Sequence, residues 1–166
     1  MELVRKLLIA LWAVGCVIAM GLIPARADQT VLTVSGLIAA KDGSTSVTFD
    51  LSALEALGVR RVETRTPWHL QPVIFEGPTM AAVLDAVGAT GNTVEVMALN
   101  DYGAIIPLSD FRTYQVLLAT RANGEKLSRR DKGPLFIVYP FDSSPDLRND
   151  TYYSRSVWQV VRMTIK

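Results

Sequence analysis

The longest apolar run in the chain is at its start. Residues 7–22 are almost unbroken in hydrophobic character, behind Arg5 and Lys6 and ahead of Pro24-Ala25-Arg26-Ala27. A positive start, an apolar middle and an Ala-x-Ala ending predict a signal peptide over residues 1–27, cleaved before Asp28. An uncleaved transmembrane anchor is the competing reading, but the run is on the short side of the ~17–25 residues a span needs. A lipid anchor at Cys16 fits less well, because the residues after it stay apolar.

Past the leader the pattern becomes one of short alternations. Residues 31–35 and 46–49 read as strands around a turn at 41–44. A short helix follows from Asp50, with Ser52 and Glu55 at capping-box spacing and Gly58 at its end. Residues 60–63 form a brief strand leading to a polar and aromatic loop, Thr64 to His69, and 73–75 a further strand. Met80, Val83, Leu84 and Val87 share one helical face, with Pro78 at the first helical position and Gly88 as a left-handed cap.

The second half is richer still in strands. Residues 93–98 alternate, 100–103 turn, and 104–107 lead out towards a single helical turn that Ser109 caps. A strand over 115–120 enters a hairpin turn at Ala122-Asn123-Gly124-Glu125. Residues 134–139 are apolar throughout and suit a buried strand, whereas 141–153 read as polar and irregular. The last strand, 158–166, places Val161, Met163 and Ile165 inward and Arg162, Thr164 and Lys166 outward. Many short strands with two modest helices predict an α+β fold. It is β-rich, a mixed sheet or partly open barrel with short flanking helices, and 28–166 form a single domain.

Charge narrows the partners. The chain has 17 Lys and Arg against 16 Asp and Glu, and loss of Arg5, Lys6, Arg26 and Glu2 leaves 14 against 15. A net charge near −1 without a polybasic patch argues against nucleic acid as a partner. The residue inventory narrows the chemistry. Cys16 is the only cysteine and leaves with the leader, so the mature chain has no disulfide, thiolate nucleophile or thiolate metal ligand. His69 is the only histidine, which excludes a histidine zinc cluster and suits a packing or hydrogen-bonding role beside Trp68. Gly-rich phosphate loops are missing. Asp142, Asp146 and Asp150 lack calcium-loop spacing and read as a solvated loop. Nothing marks a particular carboxylate pair for acid–base work.

Three stretches at strand ends combine aromatic faces with hydrogen-bonding groups: 64–69, 100–102 and 152–158. If they converge, they form walls suited to a flat heteroaromatic ligand. If they do not, their aromatics are ordinary packing.

The order and spacing of several weak motifs then become informative. They are Phe75-x-Gly77-x-x-Met80-x-x-Val83-Leu84-x-x-x-Gly88, Val94 to Ala98, Asn100-Asp101-Tyr102-Gly103, Ile106-Pro107-Leu108 and Leu117-Leu118-Ala119. Asn123-Gly124-Glu125-Lys126-Leu127, Gly133-Pro134-Leu135, Val138-Tyr139-Pro140 and Trp158-x-Val160-x-Arg162-x-x-Ile165 continue the series. Over roughly residues 49–166 the chain resembles the molybdopterin-binding fold of the sulfite oxidase family.

In that family a cysteine in the loop before the Phe-x-Gly strand end binds molybdenum. Here the loop reads Thr64-Arg65-Thr66-Pro67-Trp68, and soft thiolate ligation is unavailable. The chain is more similar to the small periplasmic pterin-binding regulatory proteins of the PruR type. That resemblance implies a non-enzymatic periplasmic protein with no obligatory cofactor and no metal, which binds a free pterin. It also implies a protein partner, the periplasmic domain of a membrane-bound cyclic-di-GMP enzyme. The alternative is a molybdenum-cofactor-dependent oxidoreductase or a subunit of one.

On the pterin reading, Asp101 is the candidate to accept the paired N–H groups of the pyrimidine edge. Asn100 and Arg155 serve the ring oxygen and nitrogens. Trp68, Tyr102 and Trp158 offer stacking faces, although Trp158 equally suits a core position. The hydroxyls of Thr66 and Ser156 suit the ligand's polar side chain. Trp68 and Asp101 both fall in predicted loops, so substitution of either is expected to leave the domain folded.

Overall fold

The alternating segments become strands, and these assemble into three sheets. The computed structural model describes residues 29–40 and 42–166, so the predicted signal peptide and Lys41 lie outside the described residues. The first half comprises β1 (Leu32–Gly36), β2 (Ser46–Phe49), α1 (Leu51–Ala56), β3 (Arg60–Thr66), β4 (His69–Gly77) and α2 (Met80–Ala86). Next come β5 (Thr93–Ala98), β6 (Gly103–Pro107), α3 (Leu108–Thr113), β7 (Leu117–Ala119), β8 (Arg121–Ala122) and β9 (Glu125–Lys126). The chain ends with β10 (Phe136–Val138), α4 (Asp150–Arg155) and β11 (Val160–Ile165).

A five-stranded sheet runs in the order β2-β1-β11-β5-β6. Only its β1–β11 pair is parallel, so the sheet is mixed. A four-stranded antiparallel sheet, β3-β4-β8-β9, and the short pair β10-β7 complete the β structure. The arrangement agrees with the α+β reading; the sheets are open rather than closed into a barrel among the described residues.

Burial follows the alternation. Leu32, Val34, Val94, Val96, Met163 and Ile165 face inward from the large sheet, and Met80, Val83 and Leu84 cover them from α2. Each such side chain contributes roughly 1.5–3 kcal/mol on leaving water. A second cluster forms around Phe75, Leu117, Phe136 and Val138 under the four-stranded sheet. Trp68 packs against both clusters. Gly77 allows β4 to lie against β7, because a Cβ there would sit 2.2 Å from the Leu118 carbonyl oxygen.

Several local expectations change. Asp50, not Ser52, caps α1 by accepting from the Ala53 N–H at 2.7 Å. Glu55 pairs with Arg121 at 3.1 Å. Thr79 caps α2, so Pro78 precedes the helix instead of opening it. Ser109 lies inside α3, whose N-cap is Pro107 without a side-chain bond. Residues 64–69 are not a loop: β3 and β4 run almost into one another as a tight hairpin with a register shift between Thr64 and Thr66. The stretch 141–153 is not wholly irregular, since α4 begins at Asp150 with Asn149 as its cap. A bulge in β11 between Val160 and Arg162 reverses its early alternation. Val160 is therefore buried and Val161 only half-buried. No helix among the described residues is long and apolar enough to cross a membrane.

Candidate functional site

Two elements meet at the ends of the strands and build a cleft between them. The β3–β4 hairpin supplies Trp68 at its turn. The Thr66 hydroxyl fixes that turn, accepting from the Trp68 N–H at 3.3 Å and lying 2.7 Å from His69 Nδ1. Burial, with the Lys132 charge second, holds the His69 imidazole below its ordinary pKa. The second element is α4 with the segment after it, which supplies Tyr153, Ser154, Ser156 and Trp158.

The β5–β6 turn closes the third side. Asn100 Oδ1 accepts from the Tyr102 N–H at 3.3 Å, and the Tyr102 hydroxyl donates to the Ser154 carbonyl at 2.9 Å. The resulting cleft has a volume of about 300 Å³ and is lined by Trp68, Ala98, Asn100, Tyr102, Tyr153, Ser154, Ser156 and Trp158. The Trp68 and Trp158 rings are 5.4 Å apart at 75°. The two indoles thus meet edge to face, and one face and one edge are what they could offer a flat ligand. Lys132 Nζ lies 5.3 Å from the Trp158 ring centre and holds that indole through a cation–π contact.

Helix α4 is anchored from below. Arg155 Nη1 donates to Asp110 Oδ2 at 2.7 Å, and the Tyr139 hydroxyl donates to the same oxygen at 2.8 Å. Burial and then this bond push the Tyr139 phenol far up. Beside it the Tyr152 and Tyr114 hydroxyls are 3.2 Å apart, and that bond, with burial second, pushes Tyr152 up to about 12. The Ser156 hydroxyl donates to the Tyr152 carbonyl at 2.9 Å.

Five of the eight candidate residues thus line one cleft: Trp68, Asn100, Tyr102, Ser156 and Trp158. Three do not. Arg155 is committed to Asp110 and lies 5.5 Å from the Tyr152 ring centre. Asp101 sits at the exposed tip of its turn in a left-handed conformation, φ 63°, with its neighbours Asn100 and Tyr102 in the lining instead. Thr66 is spent on the hairpin turn and lines a second, adjacent cleft. Tyr153 and Ser154 were within an aromatic stretch visible in the sequence, but nothing separated them from their neighbours. Ala98 carried no signal at all.

The second cleft has a volume of about 330 Å³ and is lined by Arg65, Thr66, Pro67, Phe141, Asp142, Arg148 and Tyr153. Asp142 Oδ2 accepts the Arg65 N–H at 2.9 Å, and Oδ1 accepts from Arg148 Nη2 at 2.6 Å. The Arg65 backbone bond leads the effects that hold this carboxyl below its ordinary range.

No group of three or more metal-binding side chains occurs among the described residues, and the only cysteine in the sequence is Cys16. The donors at the hairpin are hydroxyl and imidazole groups already bonded to one another. They do not fit a molybdenum centre held by a thiolate. The aromatic cleft does fit the flat ring of a pterin. The family model described as the oxidoreductase molybdopterin binding domain matches residues 25–142, more than half of the chain. It covers the hairpin and the β5–β6 turn and stops before α4 and Trp158. No curated protein matches the sequence.

Proposed function

The chain belongs to the oxidoreductase molybdopterin binding domain family, and from that premise we propose that it binds a free pterin as a sensor instead of catalysing molybdenum redox chemistry. One observation supports the reading above the rest. A cleft of about 300 Å³ has two perpendicular indoles and a few polar groups, in a chain whose only cysteine is Cys16. That volume lies at the lower end of the ~300–1,000 Å³ typical of small-molecule sites.

Trp68 or Trp158 gives the ring its stacking face. Asn100, Tyr102, Ser154 and Ser156 are the polar residues in the cleft lining. Asp101, the carboxylate assigned to the pyrimidine edge, is not among the residues lining the cleft. Asp142 is a poor substitute, because both its oxygens already accept from Arg65 and Arg148. Ring recognition on this reading rests on neutral amide, hydroxyl and backbone groups.

The remainder of the proposal concerns context. The leader-like residues 1–27 support export to the periplasm. The resemblance to PruR-type proteins supports a regulatory role, with the periplasmic domain of a membrane-bound cyclic-di-GMP enzyme as the protein partner. A molybdenum-cofactor oxidoreductase is the second reading, favoured by the family match itself. Mass spectrometry of small molecules retained through purification, beside metal analysis, separates the two. A retained pterin without molybdenum is expected; stoichiometric molybdenum with sulfite or sulfoxide turnover would overturn the sensor reading.

A further inference from the structure

The near-neutral total of the mature chain conceals one strongly basic turn. Residues 126–132 carry Lys126, Arg129, Arg130 and Lys132 against the single carboxylate of Asp131. Taking these four and one from the mature 14 and 15 leaves 10 basic residues against 14 acidic ones, so the turn is positive in a domain that is otherwise negative. None of its four basic side chains forms an ion pair among the described residues, whereas Arg65, Arg112, Arg121, Arg148, Arg155 and Lys166 all do. Asp131 instead accepts from the Ser128 hydroxyl at 2.6 Å, and Lys132 lies over Trp158. Arg129 and Arg130 stand exposed on a short 3-10 turn, Arg129–Asp131.

A third cleft, of about 270 Å³, adjoins this turn. Val31, Leu99, Leu127, Pro134 and Val161 are its apolar lining, and Arg129 is its one charged residue. The chain divides twice between this cleft and the aromatic one. Trp158 lines the aromatic cleft and Gln159 the third, and Asn100 lines the aromatic cleft and Leu99 the third. Gln159 ties the pieces together. Its N–H donates to the Lys132 carbonyl at 3.0 Å, its carbonyl accepts from the Leu99 N–H at 2.9 Å, and its Nε2 donates to the Arg129 carbonyl at 2.8 Å. The basic turn and the apolar wall are therefore held in one arrangement before anything binds, which lowers the ordering cost of association.

We propose that this surface docks an extended acidic segment of a protein partner, with one aliphatic side chain seated in the third cleft and flanking carboxylates against Arg129 and Arg130. Charge complementarity sets the sign. Two exposed guanidiniums without an ion-pair partner offer planar forks of N–H donors that match carboxylates. Shape sets the class. A concave apolar cleft with a charged rim suits an anchoring side chain, and neither a bilayer surface nor a phosphate backbone presents one. The inference rests on the reading that the protein has a protein partner, to which it gives a chemistry and a place, and it does not depend on a pterin in the aromatic cleft.

The experiment follows the fluorescence anisotropy of labelled peptides titrated with the purified protein. The first probe is a Glu, Asp and Ser peptide with a single central leucine. The second has serine in place of the leucine, and the third has lysine at every acidic position. The first is expected to bind, more weakly as salt is raised, with a severalfold loss for the second and a tenfold or greater loss for the third. Arg129→Glu combined with Arg130→Glu is expected to weaken the first probe tenfold or more, and Leu99→Ser severalfold. All three positions are exposed, and circular dichroism checks that the variants fold. Arg112→Glu, a charge reversal at the α2–α3 contact, is expected to change binding less than twofold. No binding of the first probe, equal binding of all three, or an affinity that the double variant leaves unchanged overturns the proposal and leaves the pterin reading standing. An equal loss in Arg112→Glu marks general charge attraction and overturns it too. Binding instead to vesicles containing phosphatidylglycerol, lost in the double variant, assigns the turn to a membrane surface and likewise overturns it.

Discussion

Arg155→Met is the substitution whose consequence follows most directly from the structure. Arg155 was assigned to ligand binding from sequence, yet its guanidinium holds Asp110, and through it Tyr139, beneath the cleft. Methionine keeps much of the side-chain volume and removes the charge. The Asp110 side chain, 10% exposed, then keeps only the Tyr139 hydroxyl among its side-chain donors. Breaking a buried ion pair from one side costs about 3–5 kcal/mol. Arg155 is itself 22% exposed, so water relieves part of the loss and the lower end, about 3 kcal/mol, applies. Against a total stability of about 5–15 kcal/mol the domain stays folded, with its melting temperature lowered by roughly 10 °C. Thermal denaturation followed by circular dichroism measures this. The double variant with Asp110→Asn should lose less than the two single losses added together, because the stranded charge is gone. Ligand affinity should fall as well, since α4 carries Tyr153 and Ser154 into the cleft. A melting shift of only a degree or two for Arg155→Met, typical of a surface change, would refute the anchoring role.

Trp68→Ala should lower stability by about 2–4 kcal/mol, since its ring meets Phe136, Phe141, Tyr153 and Trp158. This reverses the expectation drawn from a loop position. Trp68→Phe is the variant for binding, and loss of indole stacking there should weaken a pterin by up to about 1–3 kcal/mol; calorimetry reads both effects. Asp101→Asn should change pterin affinity less than threefold, and Asp101→Gly should be neutral or slightly stabilising at φ 63°; a tenfold loss in Asp101→Asn would restore the carboxylate to the site. The folded state binds the His69 proton less well than the unfolded chain, because burial depresses this imidazole from its ordinary 6.5. Stability is therefore full above that value and declines as pH falls below it; urea midpoints at pH 7.5 and 5.5 should differ in that direction, and His69→Gln should flatten the difference. Purified protein should contain no stoichiometric molybdenum by elemental analysis.

The fold was legible wherever one face of an element had to be buried. The alternation of 93–98 and the helical stripe Met80, Val83, Leu84 and Val87 carry their burial in their spacing. Val161 escaped because a bulge adds one residue to β11 and reverses its inward face, which no local pattern announces. At the site the sequence located the converging stretches better than the side chains within them. Ser154 and Arg155 close the last turn of α4, and Ser156 is its non-helical cap. Arg155 meets Asp110 while Ser154 and Ser156 line the cleft. Asp101 illustrates the same limit in a turn, where a left-handed tip residue leaves its neighbours to face inward. Neither partner of the Asp110–Arg155 pair signals the other across 45 positions of sequence.

The chain has three tryptophans, and removal of residues 1–27 would leave Trp68 and Trp158, both in the cleft wall. Tryptophan emission of the mature protein, excited selectively over tyrosine, then reports on that cleft. Titration with a pterin should quench this emission saturably, and Trp68→Phe should weaken the binding while leaving the fold intact by circular dichroism. Emission unchanged at saturating pterin in folded protein, or binding seen by calorimetry that leaves both indoles unaffected, would contradict the claim that the ring stacks on Trp68 or Trp158.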